Sequence, residues 1–76
     1  MEQQILNLLV DLCEDEIVKE DQNVELFDSG LLDSLAFTEL LVRIEDELGI
    51  TIAPSEVERE EMNTPSKIIS QVKLRS

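Results

Sequence analysis

Ser34 is the residue in this sequence best placed to take part in chemistry, and its neighbours limit what that chemistry can be. It follows Asp28-Ser29-Gly30, which is turn chemistry, and Leu31-Leu32, a short apolar anchor. Apolar residues recur at helical spacing from Asp33-Ser34 onward, so the serine stands at a loop-to-helix junction. Three roles are open to it. Asp33 or Ser34 can cap the helix by accepting hydrogen bonds from first-turn backbone N–H groups. A nucleophilic serine needs a general base, and the chain has no His and no Lys near Ser34. The remaining role is a serine modified by another enzyme, which requires an exposed hydroxyl and a surface that the enzyme can hold.

The helix that starts here can supply that surface. At about 100° per residue, Phe37, Leu40, Leu41, Ile44 and Leu48 share one wide face, which is expected to be buried. The other side carries Leu35 and Val42 among Glu39, Glu45 and Asp46. Leu35 and Val42 are seven positions apart, about 20° from alignment on a helix, so both are expected to be exposed. Two apolar side chains within a ring of carboxylates suit a docking surface, with packing at the centre and orientation from the rim.

The elements around this helix follow from periodicity. A first amphipathic helix is expected from Glu2 to about Val18, with Ile5, Leu8, Leu9, Leu12 and Cys13 on one side and Leu6 and Ile17 at the edge. Glu14, Asp15 and Glu16 would then lie near its C-terminal end, where the helix dipole disfavours carboxylates. Lys19 to Leu32 reads as a long loop pinned by Val24, Leu26, Phe27 and Leu31. It is not a calcium loop, because Leu26 and Leu32 occupy the positions that need glycine and glutamate. Gly49 ends the second helix, and Ile50-Thr51-Ile52 is an extended connector without a partner strand. Pro54-Ser55 opens a short third helix, Ser55 and Glu58 fitting a capping box and Val57 and Met62 giving it apolar surface. Thr64 as N-cap and Pro65 at the first position start the last helix, which buries Ile68, Ile69 and Val72. The fold class is therefore all-α: a small bundle of three main helices plus one short helix, with residues 1–76 forming a single domain. Only two Phe and no Trp or Tyr are present, so Leu, Ile and Val must build the core.

Charge narrows the partners. With 18 acidic residues against 6 basic ones, the formal net charge is −12. Such a surface repels phosphate, which argues against nucleic acid and against insertion into anionic membranes, and it favours basic protein partners. The lone Cys13 cannot form an intrachain disulfide and lies on an apolar helical face, as core packing. No signal-like segment precedes Ile5, and no apolar run approaches the ~20 residues of a membrane span, so a cytoplasmic monomer is expected.

Gly30-Leu31-Leu32-Asp33-Ser34-Leu35, continuing through Glu39-Leu40 and Glu45-Asp46-Glu47-Leu48, resembles the 4'-phosphopantetheine attachment motif of acyl and peptidyl carrier proteins. The resemblance implies an acyl-carrier-like bundle in which Ser34 bears the arm. Within that family the chain is most similar to the D-alanyl carriers of teichoic acid D-alanylation. Leu26 to Ser34, Glu39 to Glu45 and Asn63-Thr64-Pro65-Ser66-Lys67-Ile68-Ile69 carry this likeness. Leu35 stands where many such carriers have methionine, and Met62 where they often have tryptophan.

The resemblance further implies three partners: a phosphopantetheinyl transferase using coenzyme A, an adenylate-forming D-alanine-carrier protein ligase, and a membrane-embedded acyltransferase system. Asp33, Leu35, Glu39, Val42, Glu45 and Asp46 are the expected partner-binding residues, and no catalytic or metal-binding residue is expected. A fatty-acyl or other aminoacyl carrier is the alternative within the family. An unmodified acidic interaction domain is the alternative outside it.

Overall fold

A computed structural model of the chain describes residues 2–76. The described residues form four α-helices and no strand, so the all-α class holds, with the three main helices where the apolar periodicity predicts them. Helix α1, Glu2–Cys13, turns Ile5, Leu6, Leu8 and Leu9 into the interior. It does not run to Val18. Glu14 donates its backbone N–H to Val10 O at 2.8 Å but takes up a φ of +55°, which ends the helical path. Asp15 Oδ1 then accepts from Ile17 N at 3.0 Å and starts a separate turn, α2, Ile17–Glu20. The break relieves part of the acidic run: Glu14 stays at the negative end of α1, whereas Asp15 and Glu16 lie exposed just before a helix start, where carboxylates are favoured.

The break also changes which side chains are inside. Val18 is fully buried and Leu6 is more deeply placed than the helical wheel indicates, whereas Leu12, Cys13 and Ile17 are half-buried at the margin of the core. Burial pushes the Cys13 thiol above its ordinary range, and the charge of Asp15 adds to the effect. That suits packing better than reactivity.

Helix α3, Ser34–Leu48, is the longest at 15 residues, and it buries Phe37, Leu40, Leu41 and Ile44. Leu48, expected on the same face, is half-buried where the helix leaves the core. Gly49 ends α3 in the left-handed region at φ +70°, its N–H returning to Glu45 O at 2.9 Å. Glycine is suited there because an L side chain would be strained. Ile50-Thr51-Ile52 is a connector without regular structure, with both isoleucines buried and Thr51 exposed.

The short element expected near Pro54 is two 3₁₀ turns, Pro54–Glu56 and Arg59–Glu61. The capping box is not Ser55 with Glu58. It is Glu58 with Glu61, whose Oε1 accepts from Glu58 N at 2.9 Å. Ala53 precedes the first turn and supplies no side-chain cap, so Ser55 lies inside that turn and exposed. Between the two turns, Val57 enters the core, and Met62 follows the second. Helix α4, Pro65–Arg75, starts as predicted: Thr64 Oγ1 accepts from Lys67 N at 3.2 Å, and Ile68, Ile69 and Val72 face inward.

The segment between α2 and α3 has no regular structure, yet backbone bonds hold it. Leu26 N donates to Asn63 O at 2.8 Å, Leu32 N to Leu26 O at 3.0 Å, and Ser66 N to Gln22 O at 2.9 Å. Leu26 and Leu32 fill the core beneath it, with Val24, Phe27 and Leu31 half-buried around them. Tied in this way to the start of α4, the loop carries Phe27 and the entry of α3 to the same corner as the second 3₁₀ turn.

Candidate functional site

The loop-to-helix junction divides the two roles that the sequence left open between Asp33 and Ser34. Asp33 is the N-cap: its Oδ1 accepts from Ala36 N at 2.7 Å, and its carbonyl accepts the first helical bond from Phe37 N at 2.8 Å. Ser34 is the first helical residue, and its hydroxyl is not used for capping. Its carbonyl accepts from Thr38 Oγ1 at 3.1 Å, an ordinary first-turn contact. The side chain faces solvent.

One side chain reaches the Ser34 hydroxyl. The Arg59 guanidinium donates to Ser34 Oγ from across the fold. Arg59 is held in place by Phe27, with its guanidinium carbon 5.1 Å from the ring centroid. Phe27 in turn meets Phe37 edge to face, with centroids 5.6 Å apart and planes at 72°. Phe37 of α3, Phe27 of the loop and Arg59 of the second 3₁₀ turn therefore form one stack beside the serine. The sequence did not single out Arg59. Its signal was faint: it is one of six basic residues, and 25 positions separate it from Ser34.

A shallow hollow of about 300 Å³ opens next to this stack, lined by Glu25, Phe27, Asp28, Arg59, Glu60 and Asn63. Glu25 is committed to the backbone, since its Oε2 accepts from Phe27 N at 2.9 Å and Asp28 N at 3.1 Å. Among the described residues no cluster of three or more His, Cys, Asp or Glu is arranged to hold a metal ion. With no imidazole or amine beside it, Ser34 lacks a base for nucleophilic work. A hydroxyl that is exposed, freed from capping and bonded to a cation is suited to bearing a phosphate ester, whose charge the guanidinium and the first-turn N–H groups of α3 would face.

Asp33, Leu35, Glu39, Val42, Glu45 and Asp46 are all exposed, and the residues on α3 occupy the side away from the buried face. Leu35 is 73% and Val42 54% exposed; Leu74, near the end of α4, is the other large aliphatic side chain this open among the described residues. A second shallow groove, about 290 Å³, runs from Thr38, Val42 and Glu45 to Thr51-Ile52-Ala53-Pro54.

Residues 3–72 match the family described as phosphopantetheine attachment site. The chain is also similar to curated proteins named D-alanyl carrier protein. It is 53% identical to that of Abiotrophia defectiva over 99% of this chain and 95% of the relative. Identity to the Enterococcus faecalis protein is 44%, covering 95% and 92% of the two chains. For the Bacillus subtilis protein it is 41%, covering 92% and 90%.

Proposed function

The chain belongs to the phosphopantetheine-attachment family, whose members carry a covalent 4'-phosphopantetheine group and are not catalysts, and from that membership we propose that Ser34 is the attachment residue and D-alanine the cargo. The observation that supports the first half is the exposed Ser34 hydroxyl, released from capping by Asp33 and lying within the span that matches the family. When bound, the group supplies a terminal thiol that holds an acyl unit as a thioester. The chain's own residues present the hydroxyl, hold its surroundings rigid and offer a surface to the enzymes that act on it. Ser34 Oγ gains a bond to the pantetheine-bearing phosphorus of coenzyme A as the pyrophosphate bond breaks and adenosine 3',5'-bisphosphate leaves, while the hydroxyl proton passes to a base of the transferase.

The cargo reading rests on relatives named D-alanyl carrier protein that cover nearly the full length of this chain. On this reading the D-alanyl group serves D-alanylation of teichoic acids in the cell wall. A phosphopantetheinyl transferase, a D-alanine-carrier protein ligase and a membrane-embedded acyltransferase system are the successive partners. They meet the cytoplasmic, monomeric carrier through Asp33, Leu35, Glu39, Val42, Glu45 and Asp46. Among the described residues no helix is long and apolar enough to cross a membrane, so contact with the acyltransferase would be made by docking.

Intact-mass measurement tests the attachment. Incubated with coenzyme A and a phosphopantetheinyl transferase, the wild-type chain should gain one arm, whereas Ser34→Ala should gain none and keep its helix content. An arm on the Ala variant would exclude Ser34. Loading of the modified protein with D-alanine, L-alanine and a fatty acid, each with ATP and its ligase, tests the cargo; preferential loading of either alternative would overturn D-alanine.

A further inference from the structure

We infer that Arg59 is the counter-ion of the phosphodiester that joins the arm to Ser34, and that it exchanges its bond to the serine hydroxyl for the phosphate oxygens when the arm is attached. The inference rests on the reading of Ser34 as the attachment residue. Three observations carry it. The guanidinium already donates to Ser34 Oγ, the atom that would become the ester oxygen. Its guanidinium carbon lies 5.1 Å from the centroid of the Phe27 ring, a contact that favours the orientation facing the serine. Finally, it is uncommitted: Arg43, Lys73 and Arg75 pair with carboxylates, but among the described residues Arg59, like Lys19 and Lys67, pairs with none, and of these three it is Arg59 that reaches Ser34.

In a chain with a surplus of acidic residues, 18 against 6 basic ones, Glu58, Glu60 and Glu61 are the sequence neighbours that could pair with Arg59. The second 3₁₀ turn prevents this in part, because Glu58 and Glu61 are engaged with each other in the capping box. The surplus also makes the cation matter. A phosphodiester adds another negative charge to an already repulsive surface, and a planar guanidinium can meet two of its oxygens at once.

The experiment compares unmodified and modified full-length protein, with peptide mass mapping first locating the arm. An arm found elsewhere than Ser34 would refute the attachment reading, separately from the role of Arg59. In ¹⁵N-labelled wild-type protein, the Arg59 Nε–H resonance should shift and its exchange with water should slow on modification, while those of Arg43 and Arg75 stay in place. An unmoved Arg59 signal would overturn the inference. A second comparison uses Arg59→Gln and Arg59→Lys. The melting temperature of the modified form, measured relative to the unmodified form of the same variant, should be lower in Arg59→Gln than in wild type by roughly 2–6 °C, with Arg59→Lys between them. Equal differences in all three proteins would also overturn it. Should Arg59→Gln fail to fold or to accept the arm, the wild-type resonance decides alone.

Discussion

At the scale of single residues, two adjacent side chains divide two tasks. Asp33 holds the start of α3 and Ser34 is left available, so their substitutions should have opposite signatures. Asp33→Ala removes a cap and leaves a first-turn N–H unsatisfied, at an expected cost of about 0.5–2 kcal/mol in denaturant unfolding. Ser34→Ala should cost clearly less, because its hydroxyl caps nothing. If Ser34→Ala proves the more destabilising, the serine is mainly a structural residue. The sequence could not decide between the two because aspartate and serine are both good caps and the boundary of a helix is uncertain by a residue or so. It was silent on Arg59 for a different reason. A contact across 25 positions exists only after the loop has been tied to the start of α4, and no local pattern encodes that closure.

At the scale of elements, α3 was the most legible part of the chain. Its apolar positions repeat without interruption, Asp33 and Gly49 mark its two ends, and its four inward residues and its exposed Leu35 and Val42 agree with the helical wheel. Helix α1 was less legible beyond Cys13. Ile17 and Val18 continue the apolar period, and nothing in residue type marks Glu14 as left-handed, since that conformation is rare outside glycine, asparagine and aspartate. The outer side of α3 yields its own expectation. Val42→Asp should leave the melting temperature within a few degrees, because the side chain is largely in solvent, while weakening recognition by the transferase and the ligase. Both quantities have to be measured on the same protein. Unchanged recognition would mean that partners dock elsewhere, and unfolding would mean that Val42 carries more of the packing than its exposure indicates.

For the molecule as a whole, charge is the dominant surface property. A net charge of −12 is confined within principal extents of 25 × 23 × 18 Å. Carboxylates are therefore crowded to within distances that salt screens effectively, about 10 Å at 0.1 M. Among the described residues four ion pairs offset part of this, but their members are partly or largely exposed, and such pairs are each worth little. Sodium chloride should accordingly raise the melting temperature between low salt and a few hundred millimolar. A fall over that range would show that the pairs of Arg43, Lys73 and Arg75 outweigh the general repulsion. This property was readable from composition alone, since it depends on totals and size and hardly on which carboxylate lies where.

The stack of Phe37, Phe27 and Arg59 has a spectroscopic consequence. The chain contains two phenylalanines and no tryptophan or tyrosine, and both rings stand at the corner occupied by Ser34. Every aromatic proton signal of this protein therefore originates within one side-chain layer of the serine. Ring-current shifts in unlabelled material would report events at that corner without competition from aromatic groups elsewhere, and ultraviolet absorbance at 280 nm would remain nearly blank, so that any chromophore seen there would have been brought by a partner.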